Sequence, residues 1–169
     1  ESYPITLNSI AGAGPTNIVT IRPEASVVTV SLASTQNNLA LILFDNADFV
    51  RIDGRPGGQG TTRALLINNL GTGTSSYGID MINGASNNLI SHCRISGFTT
   101  SSSGGKGIHI GPSVSNPTGN SDNRFEFLTF DNGPRYYMNS SGTGANPNRN
   151  LTVYGCEFVN VNFCGWWQQ

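Results

Sequence analysis

Residues 88–98 read NLISHCRISGF, and their spacing returns twice more along the chain. In this stretch Ile90 is followed three positions later by Cys93 and five positions later by Ile95. Residues 124–133, RFEFLTFDNG, place Phe125, Leu128 and Phe130 at the same offsets. Residues 152–161, TVYGCEFVNV, do so with Val153, Cys156 and Phe158. Two earlier stretches, IVTIRP around Val19 and FVRIDG around Val50, match less fully. With Val19, Val50, Ile90, Phe125 and Val153 as anchors, the intervals are 31, 40, 35 and 28 residues. Self-similarity at such a period signals a repeat architecture, in which one unit cannot bury its apolar face alone.

A second short apolar segment precedes most anchors: ALILF at 40–44, GIDMI at 78–82, GIHIG at 107–111 and YYMN at 136–139. Each alternates roughly apolar and polar, as a strand with one buried face does. Between them run polar, glycine-rich stretches: GRPGGQGTT, GTGTSSYG, TTSSSGGKG, SVSNPTGNSDN and NSSGTGANPN. No segment keeps a 3.6-residue period between caps, so almost no helix is expected. Strands recurring at variable intervals with polar loops fit an all-β, right-handed parallel β-helix of about five coils. Coils stacked ~4.8 Å apart then build one core from files of equivalent residues. The two residues inside each triplet form a corner. The rival is an antiparallel sandwich or barrel. Asn83-Gly84 and Asp53-Gly54 are hairpin-type pairs, but stacked equivalent positions account better for the recurring triplet. Asn87, Asp122 and Asn150 share a position just before a repeated strand and read as a side-chain ladder.

The stretch GIDMINGASNNLISHCRISGF resembles a coil of the right-handed parallel β-helix proteins, the pectate-lyase-like superfold. The opening YPITLNSIAGAGPTNIVTIRPEA, with ADFVRIDG, resembles secreted β-helix proteins of Bacteroidetes. That resemblance covers nearly the whole chain. It implies a secreted or cell-surface location, export by a system such as type IX secretion, and surface-assembly proteins as partners. It says little about activity, because this fold hosts many functions.

Composition narrows the function classes. Gly, Asn, Ser and Thr supply 74 of 169 residues, and charged residues are 11%. A single lysine, Lys106, and eight arginines stand against ten acids, for a net charge of -1. A nucleic-acid partner held by phosphate neutralisation is not expected. Neither is a membrane span, since no apolar run approaches ~20 residues. The chain opens at Glu1 without a signal-peptide pattern and closes on Trp166-Trp167-Gln168-Gln169. It reads as a single β-helix domain over 1–169, a piece of a longer mature protein.

Three cysteines are present. Cys93 and Cys156 share a file, with Leu128 between them. Two rungs separate their Cα atoms by about 9.6 Å, beyond the ~7 Å that a disulfide spans. Both therefore read as small core hydrophobes, and Cys164 as one that meets a neighbouring coil. No Cys/His spacing suggests zinc, and no cofactor is expected.

The fold's pectin-cleaving members imply clustered acids for calcium or paired carboxylates for acid–base work. This chain has six Asp and four Glu, with Asp45, Asp48 and Asp53 the densest group. Asp45 and Asp48 lie near a turn, where Asp caps backbone. A sharper set comes from the first strands of successive coils. With Ile79 and Met81 facing inward, Asp80 faces out; with Ile108 and Ile110 inward, His109 faces out. The two become neighbours ~5 Å apart on one outer face, with Tyr136 or Tyr137, according to register, on the next coil; Tyr137 is the residue expected to join them in binding. An acid, an imidazole and a phenol suit a sugar: the polar groups bond hydroxyls and the ring packs on the pyranose face. They also suit acid–base work. His92 falls in a corner, equivalent to Phe127 and Gly155, and reads as structural. Lys106 in SGGKGI resembles a phosphate loop, but no Ser or Thr follows it. Phe125, Phe127, Phe130, Phe158 and Phe163 read as core. Trp166 and Trp167 face opposite ways. Asn139-Ser-Ser and Asn150-Leu-Thr fit the glycosylation pattern.

The function expected is a non-catalytic structural or adhesive module, with polysaccharide as partner along an exposed sheet. The alternatives are a polysaccharide lyase or glycoside hydrolase with active residues partly outside this segment, and an exported cargo whose β-helix is a passenger.

Overall fold

A computed structural model describes residues 2–97, 105–113, 119–132, 135–161 and 163–168. Most of the TTSSSGGKG stretch and part of SVSNPTGNSDN lie outside these. The chain forms strands in successive triplets. They are β1 (Ile5–Leu7), β2 (Val19–Ile21) and β3 (Val30–Ser34), then β4 (Ala40–Asp45), β5 (Val50–Asp53) and β6 (Leu65–Asn69). Next come β7 (Tyr77–Ile82), β8 (Leu89–Ser91) and β9 (Cys93–Gly97), then β10 (Lys106–Ile110), β11 (Arg124–Glu126) and β12 (Thr129–Asp131). The series closes with β13 (Tyr136–Ser140), β14 (Thr152–Tyr154), β15 (Glu157–Phe158) and β16 (Cys164–Gln168). Among the described residues the helical content is one 3-10 turn, Pro56–Gly58.

Every third strand pairs in parallel, giving three sheets. Sheet A runs β1-β4-β7-β10-β13-β16, sheet B β2-β5-β8-β11-β14, and sheet C β3-β6-β9-β12-β15. The result is a parallel β-solenoid. Whole turns from the first triplet to the fifth number about four, one fewer than the five coils inferred from the anchors.

The triplet pattern is the stacking register. Ile90 pairs with Phe125 and Phe125 with Val153 in sheet B. Ile95, Phe130 and Phe158 pair in the same order in sheet C. The early anchors need correction. Val19 does pair with Val50, but Ile90 pairs with Ile52, so the file runs Ile21, Ile52, Ile90, Phe125, Val153, interior from Ile52 onward, with Ile21 exposed in the first coil. Val50 stands two residues early because an asparagine, Asn88, occupies its level one coil on and accepts a hydrogen bond from the Val50 N–H at 2.9 Å. Sheet A adds the file Ile42, Ile79, Ile108, Met138 and Trp166. These files form one core, with Phe44, Ile67, Ile95, Phe125 and Phe130 fully excluded from solvent.

All three cysteines are free. Burial pushes the Cys93 thiol up to about 12, with the Asp53 carboxylate adding to it. Asn87, Asp122 and Asn150 do share one level, and all three adopt positive φ. They are exposed, however, and joined by one side-chain bond, Asn150 Nδ2 to Asp122 Oδ1. The buried ladder lies one residue later. Asn123 Oδ1 accepts from the Asn88 N–H at 3.0 Å, and Asn123 Nδ2 donates to the Ala85 carbonyl at 2.8 Å.

Candidate functional site

The outer face of sheet A carries the polar set. Register places Ala40, Tyr77, Lys106, Tyr136 and Cys164 in one column. A second column holds Leu43, Asp80, His109, Asn139 and Trp167. The cross-strand neighbours Asp80 and His109 meet, with His109 Nδ1 2.8 Å from Asp80 Oδ1. The other ring nitrogen, Nε2, lies 2.9 Å from Ser141 Oγ, just past the end of β13. The pair is shielded: the side chains of His109 and Asp80 are 11% and 16% exposed. The Tyr77 ring lies 4.5 Å from the imidazole, and Lys106 Nζ sits 4.5 Å over that same tyrosine ring.

Tyr137 is not part of this face. It points inward and is fully buried beside Phe130 and Phe158, and its hydroxyl donates to the Val159 carbonyl. The cause is a break in the alternation. At the start of the four inner sheet A strands two successive residues face the core: Leu41 and Ile42, Gly78 and Ile79, Gly107 and Ile108, Tyr137 and Met138. A Cβ at Gly107 would lie 2.6 Å from the Tyr137 carbonyl oxygen and 3.2 Å from Ile95 Cγ2, so only glycine fits at that inward position beneath Tyr137. The residue on the level of His109 in the next coil is Asn139, while Tyr136 stands beside Lys106 on the outer face.

Above the pair lies a recess of about 290 Å³, lined by Lys106, His109, Tyr136, Asn139, Ser141 and Trp167. Tyr136 and Trp167 approach at 6.2 Å between ring centroids, and Phe163 packs edge-on against Tyr136. Trp166 faces the core and Trp167 faces out. Phe163 is exposed rather than core; the Arg135 guanidinium covers its ring at 4.6 Å. The sequence marks Lys106, Trp167 and the Asn139-Ser140-Ser141 stretch for other reasons, and gives no sign of a role for Tyr77. The period-2 pattern does not place Lys106 and His109, three apart, on one face. Only the double inward step at Gly107-Ile108 does so.

The other candidates have local structural roles. Asp45 accepts from Asn83 Nδ2 and Asp48 from the Ser86 N–H, each at 2.7 Å. Burial pushes the Asp48 carboxyl up, offset in part by that Ser86 bond. Burial alone would push Asp53 up too, but two Arg55 side-chain bonds and its charge outweigh it and hold the carboxyl down. His92 stacks on Phe127 at 4.9 Å, and both adopt positive φ at their corner. Burial and the nearby Arg55 charge lower its basicity. Among the described residues no group of three His, Cys, Asp or Glu is placed to hold a metal ion, and no helix is long and apolar enough to cross a membrane.

Compared with known proteins, the chain finds no matching family model, curated protein or solved structure.

Proposed function

We propose that this chain is a polysaccharide-binding β-solenoid module of a secreted or cell-surface bacterial protein, holding sugar on the outer face of sheet A. In the same proposal its class is the right-handed, pectate-lyase-like β-helix, as the GIDMINGASNNLISHCRISGF stretch suggests, and its source a Bacteroidetes surface protein, as the opening YPITLNSIAGAGPTNIVTIRPEA with ADFVRIDG suggests.

One observation carries the binding reading: the recess in which Tyr136 and Trp167 flank a polar floor of Lys106, His109, Asn139 and Ser141. Aromatic rings cover the C–H face of a pyranose, while amide, ammonium and hydroxyl groups take its hydroxyls and any carboxylate. A parallel solenoid suits an extended ligand, because each turn presents the next column of side chains at nearly constant spacing.

Trp167→Ala removes a large exposed ring outside the core. Affinity electrophoresis through gels containing neutral or acidic polysaccharides should show retardation of the native protein. The variant should bind about 30-fold more weakly, from the ~2 kcal/mol that an anchoring aromatic contributes. Equal mobility of the native protein in every gel would end this reading.

A further inference from the structure

The strongest unassigned feature is the line of hydrogen bonds from Asp80 through His109 to Ser141. An ionised carboxylate only accepts, so the imidazole proton sits on Nδ1 and faces Asp80. That leaves the Nε2 lone pair to accept the Ser141 hydroxyl proton. A base within hydrogen-bond reach of a hydroxyl, itself oriented by a third group, is the arrangement that activates a serine nucleophile. Such a constellation is recognised by its geometry, whatever fold carries it.

Three turns of the solenoid build the line. Asp80 comes from β7, His109 from β10 and Ser141 from the residue after β13. The Ser141 N–H donates to the Ile110 carbonyl at 2.9 Å, which fixes the serine over the β10 edge. Gly111 gives the ring room: a Cβ there would lie 3.0 Å from His109 Cε1 and 3.4 Å from Nδ1. Tyr77 supports the imidazole by ring contact. Ser141 itself is half-buried and lines the recess, so its oxygen is reachable. Lys106, whose Nζ donates to the Tyr77 hydroxyl at 3.3 Å, and Asn139, whose Nδ2 donates to the Trp167 carbonyl at 3.4 Å, line the same recess, and each keeps a further N–H for a developing oxyanion.

We infer that Ser141 is the nucleophile of an acyl-ester hydrolase, with His109 as its general base and acid, Asp80 as the positioning residue, and O-acyl groups on bound sugars as the substrate class. Ser141 Oγ bonds to the acyl carbon while its proton passes to His109 Nε2. The tetrahedral adduct then breaks its bond to the sugar oxygen, which leaves with the proton from His109. Water, deprotonated by His109, attacks the acyl-serine, releasing the carboxylic acid and restoring the serine hydroxyl. The net change is ester plus water to acid plus alcohol. The sugar as carrier rests on the binding reading above; the reactive serine does not.

The test uses the whole chain. A fluorophosphonate probe followed by peptide mapping should label Ser141 well above the exposed Ser31. Hydrolysis of p-nitrophenyl acetate should fall at least 100-fold in Ser141→Ala and His109→Ala. Asp80→Asn should lower kcat roughly 10³-fold with KM unchanged, and its circular dichroism and melting temperature should match the native protein, which separates lost catalysis from lost folding. Circular dichroism of Ser141→Ala checks that its coils remain. Labelling of Ser141 no greater than of Ser31, or unchanged turnover in Ser141→Ala, overturns the inference. If Ser141 labels and p-nitrophenyl acetate is cleaved, but O-acetylated xylan neither binds nor loses acetate, the serine chemistry stands and the sugar assignment falls. If xylan binds and Ser141 takes no label, the binding reading stands and the hydrolase falls.

Discussion

Phe130→Ala is expected to destabilise the protein by about 4 kcal/mol, within the ~3–5 kcal/mol range for removing a buried phenyl ring. Phe130 is fully buried in the sheet C file. Its ring stacks on Phe158 at 5.0 Å with an interplanar angle of 1°, and Tyr137 lies 5.4 Å away on another side. Truncation removes the apolar transfer term and leaves a void between two rungs whose backbone is fixed by parallel pairing, so the neighbours cannot collapse to fill it. Guanidinium denaturation followed by tryptophan fluorescence reads this directly, because Trp166 and Trp167 both sit on β16 beside the affected rungs. The midpoint should drop, with the melting temperature lower by about 10 °C for a chain of this size. Phe130→Leu should cost far less, since it keeps most of the volume. A loss under about 1 kcal/mol for alanine would mean that the file is not packed as described.

The second large effect is polar. Asn123→Ala should cost about 3 kcal/mol even though it adds no clash and removes little apolar area. Asn123 is 0% exposed and spans two coils with one amide. Without it, the Asn88 N–H loses its acceptor and the Ala85 carbonyl loses its donor. Each buried group left unpaired costs roughly 1–3 kcal/mol. The contrasting variant is Asn150→Gly. Asn150 is exposed, its positive φ suits glycine, and it makes a single side-chain bond to Asp122. Its cost should stay near 0.5 kcal/mol. Equal losses for the two variants, measured by urea denaturation, would contradict the assignment of the buried ladder to Asn88 and Asn123.

The parallel stacking was legible because the i, i+3, i+5 triplet is a direct imprint of two short strands meeting at a tight corner. Three copies of it, at Ile90, Phe125 and Val153, set the register of the later coils. The earlier coils were misaligned by two residues because Asn88, polar yet buried, stands where an apolar anchor would be sought. Apolar pattern alone does not reveal a side chain whose burial is secured by backbone hydrogen bonds. The neighbouring pair Asp80 and His109 was legible for the same reason as the core: equal positions in equal strands. Tyr137 was misplaced because strict alternation fails where Leu41-Ile42 and Tyr137-Met138 both turn inward. Ser141 was visible only as the third residue of the Asn139-Ser-Ser pattern, since it lies beyond the strand in a Ser/Gly/Thr run that gives no sign of its reach to His109. Only the lean of the His109 ring over Gly111 brings it into reach.

The central structural claim is that three successive turns place Asp80, His109 and Ser141 in one hydrogen-bonded line. Long-range proton–nitrogen correlation NMR of the histidine side chains, at a pH where both imidazoles are neutral, measures it most directly. His92→Asn, tolerated at a positive φ, assigns the two rings. His109 should carry its proton on Nδ1, Asp80→Asn should release this preference, and Ser141→Ala should shift the Nε2 resonance. A His109 protonated on Nε2 and unaffected by either substitution would contradict the claim.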